Sequence, residues 1–184
     1  MQQELCDVRK PIGFYLRPQK GYTFKRLLMG EKTTVQVKKA GLNKTIYDNA
    51  KNHFLGNFPS SLPIEQAYVH IGMYLGWIIE QELYSEYFEE EAETEIYRFR
   101  RKEFPCTILS EIWDGYLGFE LFNEEGNMFT YYYYAGGLFK KDYQDVLAGN
   151  LPSIYHVKDT WENFEAMSGR ITQRYVEWRE LIGK

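Results

Sequence analysis

Residues 64–83, IEQAYVHIGMYLGWIIEQEL, constrain the fold more than any other stretch, because they read as one helix with almost no polar face. At about 100° per residue, Ile64, Tyr68, Ile71, Leu75, Ile78 and Ile79 form one apolar stripe. The opposite side carries Val69, His70, Met73 and Trp77, so it is not a solvated face either. A helix that is apolar all round must be covered on every side. The expected class is therefore α+β and mostly α: a helical domain built around a central buried helix at 64–83, with a small antiparallel β layer before it. Gly72 and Gly76 lie four apart on one flank. In a soluble helix each costs about 0.8–1 kcal/mol against Ala, which predicts that another backbone approaches closely there.

The flanking segments divide the chain into a basic, β-rich extension at 1–45, packed on the body, and a helical domain at 46–184. Short β-prone runs at 12–16, 22–28 and 33–38 are punctuated by Pro11, Pro18, Gly21 and Gly30, the pattern of a small meander. Residues 46–62, IYDNAKNHFLGNFPSSL, read as turn-rich. Ser85 is a suitable N-cap for a helix over 86–103, with Phe88, Ala92, Ile96 and Phe99 as its buried stripe. A short helix is expected over 107–113, then a turn at Asp114-Gly115. Another helix should begin at Met128, break at Gly136-Gly137 and resume over 138–148. The last helix starts with Asp159 and Glu162, a capping-box-like pair, and runs through Phe164, Met167, Ile171, Tyr175, Trp178 and Ile182.

Charge is unevenly spread. Residues 1–51 hold 11 Lys/Arg against 4 Asp/Glu, and residues 52–184 hold 11 against 22. From residue 80 to 95 there are eight Glu and no Lys or Arg, more than the helix dipole alone calls for. Sixteen Tyr suit either an interface or a half-wet core, since Tyr has an apolar body and a polar tip. Cys6 and Cys106 stand alone, without a CxxC or a neighbouring His, which fits a reducing compartment. The apolar helix is interrupted by Glu65, His70 and Glu80, and no signal-peptide pattern occurs, so a cytoplasmic protein without a membrane span is expected.

Chemical motifs are sparse. His53, His70 and His156 are the three histidines, and none sits in HExxH, HxH or another metal-ligand spacing. His70 reads first as a core histidine hydrogen-bonded to a carboxylate. There is no GxSxG, Walker loop or GxGxxG. No cofactor, metal or catalytic residue is therefore expected. Residues open to a pocket role are His70, Trp77, Glu124, Asp159 and Trp161.

Three stretches, HIGMYLGWIIE at 70–80, NEEGN-x-F at 123–129 and DTWENF at 159–164 with Tyr175 and Trp178 after it, are together distinctive. They resemble a bacterial family of small cytosolic proteins classed as a domain of unknown function, whose members open with a Tyr-Asp-x-Ala segment like Tyr47 to Ala50. The resemblance covers about residues 46–179 and implies no activity. It does imply an immunity role, because such members look like the small acidic proteins encoded beside polymorphic toxins. The leading expectation is a cytosolic protein-binding module that neutralises a cognate toxin, or binds another basic protein, through Glu82, Tyr84, Glu86, Tyr87, Glu89, Glu90 and Glu93. The alternatives are an enzyme using His70 with carboxylates such as Asp48, Glu124 or Asp159, and nucleic-acid binding through the basic N-terminal part.

Overall fold

The computed structural model describes residues 45–183 in full and, before them, the backbone of three strands. Those strands are β1 (Gly13–Pro18), β2 (Tyr22–Leu28) and β3 (Glu31–Val37), paired antiparallel in chain order as a meander. Next come β4 (Ile46–Asn49), α1 (Ala50–Phe54), α2 (Val69–Glu80), α3 (Glu86–Arg100), α4 (Cys106–Ile112) and β5 (Tyr116–Gly118). The chain then forms α5 (Glu124–Tyr133), α6 (Leu138–Tyr143) and α7 (Trp161–Leu181). The fold is α+β and mostly α. Cys6 lies outside the described residues.

Helix α2 is the core of the domain, with every residue from Val69 to Ile79 buried. Both of its sides are covered, and Trp77 donates its indole N–H to Thr172 of α7 at 3.0 Å. Ile64 departs from the expected stripe. It lies in a 3-10 turn at Ile64–Ala67 that precedes α2, and it is 48% exposed. Gly72 meets the expected neighbour: a Cβ there would lie 2.1 Å from the carbonyl oxygen of Cys106, so α2 and α4 touch backbone to backbone. Gly76 differs, because it admits the rings of Phe99 and Phe164 rather than a backbone.

Helix α3 starts and buries its stripe as its sequence predicts, but it kinks at Ala92 and ends at Arg100 rather than at 103. Ser85 accepts from the Phe88 N–H at 3.1 Å, and Phe88, Ala92, Ile96 and Phe99 are the buried positions. Two further boundaries fall elsewhere. The polar NEEGN stretch is the first turn of α5 rather than a loop before it, since the Asn123 side chain accepts from the Gly126 N–H at 2.8 Å. Helix α7 is capped by Thr160, not Asp159. The Asp159 carboxylate instead accepts from the Thr107 N–H at 2.6 Å and the Cys106 N–H at 3.2 Å, closing the start of α4. That bond also ties two segments far apart in sequence.

Much of the tyrosine content belongs to a half-wet core. Tyr74 meets Thr130 at 3.0 Å, Tyr133 donates to Asp142 at 3.1 Å, and Tyr47 donates to the side chain of buried Asn127 at 2.8 Å. Each ring adds apolar area while its hydroxyl satisfies another buried polar group. No described helix is long and apolar enough to cross a membrane.

Candidate functional site

The turn-rich stretch at 46–62 holds two short elements, and together they build the most chemically loaded part of the domain. Strand β4 pairs antiparallel with β5, about seventy residues later, with Ile46 opposite Gly118 and Asp48 opposite Leu117. Two steps on β4 therefore match one on β5, which is a β-bulge at Tyr47. Successive strand residues normally point to opposite faces. The bulge lets Tyr47 and Asp48 line the same cavity, a space of about 170 Å³. Asn49 then caps α1 by accepting from the Lys51 N–H at 2.9 Å, and α1 carries His53 back over Asp48.

His70, in the first turn of α2, reaches the same point from the core side. Its Nε2 lies 3.3 Å from Asp48 Oδ2 and 3.3 Å from His53 Nε2. His53 Nε2 is 2.7 Å from Asp48 Oδ1, and its Nδ1 is 2.9 Å from the Tyr155 hydroxyl. Tyr134, just past α5, donates to Asp48 Oδ2 at 2.5 Å, and the Asn49 N–H donates to Oδ1 at 2.7 Å. Two donors, the Tyr134 hydroxyl and the Asn49 N–H, and two imidazole nitrogens thus converge on one carboxylate. They come from its own strand end, α1, α2 and the end of α5.

The surroundings fix the charge states. Burial opposes ionisation of Asp48, but the hydrogen bonds from His53 and His70 outweigh it and hold the carboxyl well below the usual carboxylate range. For His70 burial dominates and lowers its pKa from the ordinary imidazole value. Burial, reinforced by the negative charge of Asp48, pushes the Tyr134 phenol well above its ordinary value, so it remains a donor. Phe139, Tyr143 and Ile154 add apolar wall, and Lys140 stands at the rim as the one Lys or Arg among the lining residues.

A family described as a domain of unknown function (DUF7832) matches residues 46–157 of the chain. The chain belongs to that family. No curated protein and no solved structure matches it. The DUF7832 span contains Asp48, His53, His70, Tyr134 and Tyr155, so the whole cluster lies inside the matched residues. It also contains the HIGMYLGWIIE and NEEGN stretches. It ends before DTWENF at 159–164, short of the wider extent that the resemblance gave.

Of the residues open to a pocket role, only His70 lines this cavity. Trp77 is core. Glu124 is exposed in the first turn of α5, and Asp159 serves the start of α4. The Trp161 ring packs against Phe99 and Phe164 with Lys102 over it. The enzyme alternative names Asp48 as one of three carboxylates beside His70, without choosing among them, and it assigns neither His53 nor the two tyrosines to that site. The clue available in the sequence was the presence of Asp48 and His53 in one apparently loose segment.

The acidic, aromatic stretch is also in view. Glu86, Glu89, Glu90, Glu93 and Tyr87 are exposed on α3, with Tyr87 at 47%. Glu82 is exposed in a left-handed backbone conformation (φ 55°) and pairs with Arg100 at 3.2 Å. Tyr84 is half-buried and stacks on Phe88.

Proposed function

We propose that this chain works by binding a small cationic or hydrogen-bond-donating group in the Asp48–His53–His70 cavity. One observation carries the reading: a half-buried carboxylate, its side chain 14% exposed and already held as an anion, faces a cavity walled by Tyr47, Tyr134, Phe139 and Tyr143. Aromatic faces attract cations, and a half-buried anion favours them further. A core histidine satisfied by one carboxylate would need only His70 and Asp48. Adding His53, oriented by Tyr155, places a second imidazole with two ring nitrogens in the network, which suits proton exchange with a bound group. The enzyme alternative is retained in that form, with Asp48 rather than Glu124 or Asp159 as the partner of His70.

The test is NMR of the imidazole resonances during titration with methylguanidinium, acetamide and acetate. Methylguanidinium is expected to shift the His53 and His70 signals, acetate to leave them unmoved, and Asp48→Asn to abolish the response. Equal responses to acetate and methylguanidinium, or none to any probe, would remove the reading.

A second reading is favoured by α3, whose Phe88, Ala92, Ile96 and Phe99 anchor it while Glu86, Tyr87, Glu89, Glu90 and Glu93 stay exposed. This face suits a basic protein partner, and the resemblance to proteins encoded beside toxins makes that partner a cognate toxin. Charge of one sign on a fixed helix speeds association and makes it sensitive to salt. Replacing Glu86, Glu89, Glu90 and Glu93 by Lys should weaken binding to the product of a neighbouring gene. Unchanged binding by the folded variant would end this second reading.

A further inference from the structure

The cluster presents a problem in proton placement. If His53 and His70 both donate from Nε2 to Asp48, two N–H groups face each other across 3.3 Å. If one nitrogen is bare, its lone pair points into the space that the carboxylate and the other imidazole share. Both arrangements are relieved if a cation replaces the Nε2 protons, which leave to solvent or move to Nδ1, and takes the lone pairs of both rings and the carboxylate. We propose that Asp48, His53 and His70 hold a divalent transition-metal ion of the zinc class, with the cavity supplying its open coordination position. The proposal rests on the cavity reading above and names the cation.

The geometry supports the donor set. Ligand atoms from all three side chains lie within 4.8 Å of one another. Two ligands at about 2.0–2.1 Å from a tetrahedral zinc stand about 3.3–3.4 Å apart. The separation of the two Nε2 atoms is 3.3 Å, and that of His70 Nε2 from Asp48 Oδ2 is also 3.3 Å. The other carboxylate oxygen, Asp48 Oδ1, lies 2.7 Å from His53 Nε2, a hydrogen-bond length that would open on binding. Two borderline imidazole nitrogens beside one hard carboxylate oxygen suit zinc and its neighbours better than calcium or magnesium, which favour all-oxygen shells.

The outer partners fit as well. A histidine ligating through Nε2 carries its proton on Nδ1, and His53 Nδ1 lies 2.9 Å from the Tyr155 hydroxyl, which can accept it. The Asp48 carboxylate is steadied by Tyr134 and by the Asn49 N–H. Three protein ligands beside a cavity are the arrangement of a metal that keeps a place for water or another small ligand. The spacing escapes motif searches because each ligand comes from a different element: Asp48 from a bulged strand, His53 from α1 and His70 from α2.

The experiment uses the full chain, stripped with a chelator and titrated with Zn2+ and then Co2+ against a competing indicator. One equivalent should bind. Co2+ should give the strong visible bands of a four-coordinate site. His53→Gln should lower Zn2+ affinity at least 100-fold, and Tyr155→Phe, which leaves all three ligands in place, about 10-fold. Circular dichroism confirms that each variant is folded, so Tyr155→Phe decides the matter if a ligand variant is not. Zn2+ binding that is absent, or equally tight in the folded His53→Gln and Tyr155→Phe chains, overturns the proposal. Methylguanidinium binding with no Zn2+ binding removes the metal and leaves the cavity reading standing. Failure of both probes removes both.

Discussion

Tyr143 brings its hydroxyl into the core, and among the described residues that oxygen has no hydrogen-bond partner. The ring is 1% exposed and contributes to the wall of the cavity, where its aromatic body is useful and its oxygen is not. A buried hydroxyl without a partner keeps its desolvation cost, so removing it should stabilise the domain. Tyr143→Phe is expected to raise the unfolding free energy by about 1 kcal/mol, read as a higher urea midpoint with an unchanged slope. A lower midpoint would show that the hydroxyl is satisfied in solution. Its neighbours behave otherwise: the hydroxyls of Tyr133 and Tyr134 each donate to a carboxylate, and the same substitution there should destabilise.

Glycines at the level of the element illustrate how one residue type can have opposite meanings. Gly169 sits inside α7 with nothing within 4 Å of where a Cβ would be. Gly169→Ala should therefore stabilise by about 0.8–1 kcal/mol through helix propensity alone. Gly72→Ala gains the same propensity but drives a methyl into the Cys106 backbone, 2.1 Å from its carbonyl oxygen. The net effect should be a loss of about 1 kcal/mol, since overpacking costs about 1–3 kcal/mol against that gain and α4 must move to relieve it. Thermal unfolding of the two variants side by side checks the contrast, and two stabilised proteins would mean that α2 and α4 pack less closely than described. The sequence distinguishes these glycines only in part. Gly72 meets the backbone neighbour that two glycines in a buried helix predict, whereas Gly76 does not, because rings rather than a backbone fill its flank. Elsewhere legibility followed period. The stripe of α3 could be read because one face is apolar and the other acidic. The start of α5 was missed because an Asn cap followed by two Glu and a Gly looks like a loop until the cap's hydrogen bond is seen. Strand β4 was missed because it is four residues long and its partner lies about seventy residues away, beyond any local pattern. The site inherits that gap: Asp48 and His53 belong to the segment whose structure depends on distant pairing.

At the scale of the whole molecule, stability rests on long-range polar ties as well as on the apolar core around α2. One such tie joins α6 to α7, where the Asp142 carboxylate, 1% exposed, accepts from Arg174 at 2.8 and 3.0 Å and from the Tyr133 hydroxyl at 3.1 Å. Burial alone would raise the Asp142 pKa, but the hydrogen bonds and charge of Arg174 overcome it and hold the carboxyl below its ordinary 3.8. A depressed folded value means that the unfolded chain binds the proton more tightly, so acid favours unfolding. The contribution is complete above the unfolded value and is lost as pH falls through the folded one. Asp142→Asn should cost about 3 kcal/mol near neutral pH, the low end for breaking a buried pair, because the Arg174 side chain keeps 28% of its surface in solvent. The same variant should also lose less stability than the parent between about pH 5 and pH 2, having no carboxyl left to protonate there. Denaturant unfolding of both proteins across that range measures the difference. Parallel pH profiles would show that this ion pair does not govern the acid limb, and that the acid sensitivity of the fold lies in its other carboxylates.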